Sequence, residues 1–123
     1  MKRILLVEDE KALSLLYEEE LEREGYEVTV AYDAESALEK IKTEKFDLII
    51  TDIRMPGRDG IELIASVMGL RKDIPIIINT AYQSYKDDFM TWAADAYVIK
   101  SSSLDELKNK IKELLQKKSK DQS

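Results

Sequence analysis

The 123 residues include no cysteine and no histidine. Disulfides, thiolate nucleophiles, imidazole chemistry and the usual zinc sites are thereby excluded. Any nucleophile must be an oxygen or a lysine. Proline and glycine are scarce, at two and four residues, so each one that interrupts a pattern is informative. No apolar run approaches the roughly 18 residues of a membrane span. The first apolar segment begins almost at Met1, without the charged and apolar regions of a signal peptide, and a cytoplasmic location is expected. A basic footprint is missing as well. The formal charge is -6 and the sequence pI is near 4.8, which argues against nucleic acid or an anionic membrane surface as the main partner.

What is present is enough apolar content for one core, with no room for a second. The most apolar stretch, Phe46-Asp47-Leu48-Ile49-Ile50-Thr51-Asp52, reads as a strand buried on both faces and left through Pro56-Gly57. Before it, Arg3 to Val7 reads as a strand closed by the acids Glu8-Asp9-Glu10. A helix follows from Glu10 to Glu24, with Leu13, Leu16, Tyr17 and Leu21 at helical spacing and Gly25 as its stop. Ala12 and Leu15 widen its apolar face, so some apolar surface is either exposed near the acids or tucked under loops. Glu27 to Ala31 alternates like an edge strand, and Asp33 caps a helix over Ala34 to Thr43 whose inner face is Ala37, Leu38 and Ile41. Beyond Asp59-Gly60 a helix is expected to about Leu70 on Ile61, Ile64, Val67 and Met68. Ile74 to Asn79 reads as a strand ending at Thr80, with Pro75 near its start, where a missing donor is tolerated. A weaker helix lies between Ser84 and Ala94. Ala96 to Ile99 is a strand ending at Lys100, and Ser103 with Glu106 forms a capping box for a last helix through Leu107, Ile111 and Leu115. Lys117 to Ser123 is polar and expected to fray, giving a domain over 1–118 and a tail over 119–123.

Strands alternating with helices indicate an α/β fold, a parallel sheet covered on both faces with right-handed crossovers. The carboxyl ends of four strands then carry Glu8-Asp9, Asp52, Thr80 and Lys100 along one edge, where open parallel sheets place ligand sites. Surface exposure alone could put polar residues there, but the mixture argues otherwise. Carboxylates on adjacent strands repel unless a cation or proton is shared. Oxygen ligands without histidine suit Mg²⁺, which favours a phosphate ligand, and a hydroxyl and an ammonium suit the remaining phosphoryl oxygens.

In this order Glu8-Asp9, Asp52 with Met55-Pro56-Gly57 behind it, Thr80-Ala81 and Tyr97-Val98-Ile99-Lys100 resemble the receiver domain of two-component response regulators. The resemblance implies a doubly wound, flavodoxin-like five-stranded sheet of order 2-1-3-4-5 with helices on both faces. It implies Asp52 as phosphoacceptor, Asp9 as direct Mg²⁺ ligand, Glu8 as an acid acting through water and the Arg54 carbonyl as a backbone ligand. Thr80 and Lys100 would hold the phosphoryl oxygens, and Tyr97 would reorient with Thr80. The donor would be a phosphohistidine on a sensor histidine kinase or a histidine phosphotransfer protein, and Leu13 and Leu16 on the first helix would form the partner patch. Such a chain is a signalling phosphoacceptor that assists its own phosphorylation and dephosphorylation, not an enzyme with a separate substrate. Arg54 and Tyr82, two positions past Asp52 and Thr80, would limit access of water to the acyl phosphate.

The sequence departs from the family at Ser101, where receivers usually carry a cis proline. A cis bond before a residue other than proline costs about 2.5 to 4 kcal/mol, so a trans Lys100-Ser101 peptide is expected. Considered singly, Tyr97 is a half-buried strand aromatic and Thr80 a turn-capping hydroxyl. Two other functions compete. A phosphatase with an aspartate nucleophile generally needs a second acid two positions on, where Arg54 stands. A binding module of receiver fold that works without phosphate has no use for the acidic cluster, Asp52 and Lys100.

Overall fold

The computed structural model describes residues 1–52, 65–66, 74–81, 95–100 and 103–122. Arg54, Tyr82, the Lys100-Ser101 peptide, the helix expected between Ser84 and Ala94 and all but Ala65 and Ser66 of the one expected after Gly60 lie outside the described residues. The chain runs through β1 (Arg3–Val7), α1 (Lys11–Arg23), β2 (Glu27–Ala31), α2 (Ala34–Thr43), β3 (Leu48–Thr51), β4 (Ile76–Thr80), β5 (Ala96–Ile99) and α3 (Asp105–Gln122). All paired strands are parallel, in the order β2-β1-β3-β4-β5.

Strand alternation sorts the apolar residues into two layers. One face of the sheet turns Leu5, Val7, Ile49, Ile76 and Ile78 toward Ala34, Ala37, Leu38 and Ile41 of α2. The other turns Ile4, Leu6, Leu48, Ile50, Ile77 and Val98 toward Tyr17 and Leu21 of α1 and Leu107, Ile111 and Leu115 of α3. Central strands buried on both sides must be apolar throughout, which is why β1, β3 and β4 read as continuous runs. β2, with an exposed Glu27 and half-buried Thr29 and Val30, is an edge.

Helix ends follow local chemistry. The Asp33 carboxylate accepts from the Ser36 N–H at 2.7 Å and caps α2. α1 ends at Gly25, whose φ of 95° is the left-handed conformation that glycine adopts without penalty, and whose N–H donates to the Glu22 carbonyl at 3.0 Å. α3 starts at Asp105, whose N–H donates to the Ser103 hydroxyl at 3.2 Å. α3 continues to Gln122 through a stretch with no glycine, proline or β-branched residue.

At the amino-terminal edge of the sheet Arg3 ties β1 to the connection between α2 and β3. Its guanidinium donates to the Glu44 carboxylate at 2.7 Å and to the Lys45 carbonyl at 2.9 Å, and lies 5.1 Å from the centre of the Phe46 ring. Its backbone N–H donates to the Asp47 carboxylate at 2.8 Å. The end of the sheet away from the strand-end carboxylates is thus held by the fork of one arginine.

Candidate functional site

Because the strands are parallel, their carboxyl ends share one edge, and each ladder stops where a polar residue begins. β3 ends at Thr51, one residue before the expected Asp52. The Asp52 N–H meets the Val7 carbonyl only at 3.4 Å, while the Thr51 hydroxyl donates to the Asp52 carbonyl at 2.9 Å. Glu8 follows β1, and its N–H donates to the Ala31 carbonyl at 3.0 Å. Lys100 follows β5, and its N–H donates to the Thr80 carbonyl at 2.7 Å. Neither acid is a surface group, with Glu8 at 2 % and Asp52 at 8 % exposure.

One ammonium joins them. Lys100 Nζ lies 2.7 Å from Asp52 Oδ2 and 2.7 Å from Glu8 Oε1. The second Glu8 oxygen accepts from the Glu10 N–H at 3.1 Å, at the start of α1. Burial pushes the Glu8 carboxyl above its ordinary pKa, and the hydrogen bonds from Lys100 and Glu10 offset this only in part. Burial also opposes the Lys100 charge, but its bonds to Asp52 and Glu8 prevail and hold the ammonium above the ordinary lysine range. The site is therefore two buried acids held together by one retained positive charge.

This polar edge belongs to a chain whose sequence matches the response regulator receiver domain over residues 4–112. The chain belongs to that family. Among curated relatives, the alkaline phosphatase synthesis transcriptional regulatory protein PhoP of Bacillus subtilis is 37 % identical over 118 residues, covering 94 % of this receiver and 49 % of PhoP. The chain thus spans about half the length of the curated relatives it matches. The response regulator TrrA of Thermotoga maritima, solved in complex with Mg²⁺-BeF, superposes with a TM-score of 0.88 at 48 % identity, covering 93 % of this chain and 99 % of that one. TrrA solved in complex with the histidine kinase ThkA gives a TM-score of 0.87 at 49 % identity, with 94 % and 99 % covered. The sheet order expected of a receiver is the order observed.

The receiver edge does not gather every residue the sequence singled out. Glu8, Asp52 and Lys100 are in contact, whereas Asp9 is exposed beside them. Thr80 is fully buried and Tyr97 is 6 % exposed. By alternation both lie on the α2 face of the sheet, where Tyr97 belongs to the core, while the Asp52–Lys100 bridge lies on the face of Ile50 and Val98. On α1 the two residues expected to face outward differ in exposure. Leu13, Tyr17 and Leu21 recur every four residues on one side, so Leu13 packs half-buried against the core. The exposed apolar residues are Leu15 at 57 % and Leu16 at 46 %, beside an exposed Ala12.

The oxygen chemistry of this edge fits Mg²⁺: Glu8, Asp9 and Asp52 offer hard carboxylate donors from adjacent strands, with no soft ligand among them. Among the described residues no three acids are gathered as a metal site, because the Lys100 ammonium stands between Glu8 and Asp52 and supplies the charge that they share. The sequence reading missed both this direct Lys100–Glu8 bond and Asn79, a buried amide at the end of β4 whose only signal was being the one polar residue before Thr80 in an isoleucine run.

Proposed function

We infer that this receiver accepts a phosphoryl group on Asp52 from a phosphohistidine donor and, through that change, alters its binding to a partner. The observation that carries the reading is the Lys100 ammonium 2.7 Å from the Asp52 carboxylate in a site that is largely shielded from water. A carboxylate oxygen of Asp52 attacks phosphorus, the bond from phosphorus to the imidazole nitrogen breaks, and its electron pair stays on that nitrogen. Lys100 then offsets charge on the transferring group. Asp9 and Asp52, with Glu8 and the Arg54 carbonyl, would hold Mg²⁺, which when bound supplies further charge neutralisation at the phosphoryl oxygens. The TrrA complexes with Mg²⁺-BeF and with a histidine kinase support this reading for a chain so similar to it.

Burial of Thr80 and Tyr97 on the α2 face supports their role as a switch. To reach a phosphoryl oxygen the Thr80 hydroxyl must turn toward Asp52, and Tyr97, its neighbour on the same face, fills the space released. Phosphorylation then favours an arrangement already accessible to the protein. Leu13 and Leu16, with the exposed Leu15 beside them, offer the donor protein an apolar contact beside the site. Residues 1–118 act as the receiver unit, in the cytoplasm where the donor kinase presents its phosphohistidine, and the same site assists loss of the phosphoryl group to water.

The test is to incubate the protein with Mg²⁺ and acetyl phosphate and to weigh it intact. One added phosphoryl group that is absent in Asp52→Asn is the expected result. Continuous phosphate release without a labelled species points to a phosphatase, and no labelling at all to a phosphate-independent binding module.

A further inference from the structure

Asn79 is a buried polar side chain, 4 % exposed, that the reaction outlined above leaves unused. The β3–β4 register pairs Ile50 with Ile77 and Thr51 with Ile78, so its next step sets Asn79 beside Asp52. On its other side Asn79 pairs with Val98. Alternation places Asn79 on the face of Ile77 and Val98, the face shared by Asp52 and Lys100. β5 is two strands away from β3, about 10 Å at roughly 4.8 Å per strand. The Lys100 ammonium nonetheless touches Asp52, so its stem crosses the sheet over Asn79.

Burying a carboxamide is unfavourable unless it is hydrogen-bonded, and the isoleucines before it show what an undemanding core would carry here. An amide offers a donor and an acceptor without charge. A carboxylate in its place would add a third buried acid, and an ammonium would compete with Lys100 for Asp52. We propose that Asn79 is a further phosphoryl-binding residue, its carboxamide N–H donating to an oxygen of the group carried by Asp52. The inference rests on Asp52 being the phosphoacceptor. A phosphoryl group brings three acceptor oxygens to a place where the free carboxylate presents only its own, and Asn79 is the neutral donor next to it. The bond exists only in the phosphorylated state, so Asn79 favours that state over the free one.

The test uses beryllofluoride, a tetrahedral mimic of the phosphoryl group, and follows thermal unfolding of the intact chain with Mg²⁺ alone and with Mg²⁺ plus beryllofluoride. Asn79→Leu keeps the heavy-atom count and branching and removes the donor; its midpoint without ligands equals or exceeds that of the parent. Its Mg²⁺ affinity is unchanged, while its beryllofluoride affinity falls about tenfold, the size of one hydrogen bond to a charged acceptor. Asn79→Asp, of the same size but with no donor and one more negative charge, weakens beryllofluoride binding further. Parental beryllofluoride affinity in Asn79→Leu overturns the proposal, and so does a matching loss for Mg²⁺ alone, which would make the effect structural. A parent chain that binds no beryllofluoride and takes up no phosphoryl group overturns the reading of Asp52 itself, and the role of Asn79 with it.

Discussion

Replacing Lys100 by methionine removes the single cation between two buried acids while keeping most of the stem. The three side chains are 16 % (Lys100), 3 % (Glu8) and 10 % (Asp52) exposed, so the loss is that of a buried network, not a surface pair. Removing one partner of a buried pair costs about 3 to 5 kcal/mol, and because the Glu8 carboxyl, already raised by burial, can relieve the repulsion by taking up a proton, about 3 kcal/mol is expected at pH 7. For a domain of this size that lowers the unfolding midpoint by roughly 12 °C, at about 4 °C per kcal/mol. The sign with pH is fixed. Without Lys100 the bond that offsets the burial of Glu8 is lost and its folded carboxyl pKa lies further above the unfolded value, so the folded state binds more protons and stability falls as pH rises from about 4 to 7. The deficit of Lys100→Met relative to the parent is therefore largest at neutral pH and smaller at pH 5. Mg²⁺, which can take over the charge between the acids, recovers part of it. Urea unfolding at both pH values, with and without Mg²⁺, measures all three effects. A deficit that is equal at pH 5 and pH 7, or smaller than about 1 kcal/mol, would refute the buried-network account.

The same ammonium governs the alkaline limb. Its folded pKa is raised, so its stabilising contribution is complete below the ordinary lysine value of about 10.4 and is lost only as pH rises beyond it; the stability difference between parent and Lys100→Met should stay level from neutral pH to that point. Leu16→Glu should slow phosphoryl transfer from a protein donor yet leave labelling by acetyl phosphate intact, and equal loss of both would place Leu16 in the fold instead of at an interface. Gly25→Ala meets no atom within 4 Å, so its cost is the backbone conformation alone, about 1 kcal/mol by chemical denaturation. Gly25→Asn should lose less, and an unchanged Gly25→Ala would contradict the left-handed geometry.

The bounds of β1, β2, α2 and β5 follow from the sequence residue for residue, because each is flanked by a residue that ends its pattern, such as Glu8, Asp33 or Lys100. β4 does not: the isoleucine run suggests a start at Ile74, yet the strand begins at Ile76, after the proline that has no N–H to give. The strand ends named Glu8, Asp52 and Lys100 as a group. The direct bond from Lys100 to Glu8 was hidden, since a linear pattern does not reveal that a lysine on the edge strand can reach across to β1. Leu13 is half-buried where Leu16 is exposed, because four apolar residues within five positions span two helical faces and Leu13 lies on the side of Tyr17 and Leu21. Asn79 reads as the end of a strand, yet it is a buried amide beside Asp52.

Lys100 follows the outermost strand and ends between the side chains that follow β3 and β1, so its contact with Asp52 depends on rotations about a few single bonds. Turning one side chain moves no backbone, whereas a shift of a packed helix is a collective motion of microseconds or longer. The space beside Asp52 can thus be cleared without displacing any strand. Readiness to receive a phosphoryl group is separated in time from the slower rearrangement that announces its arrival.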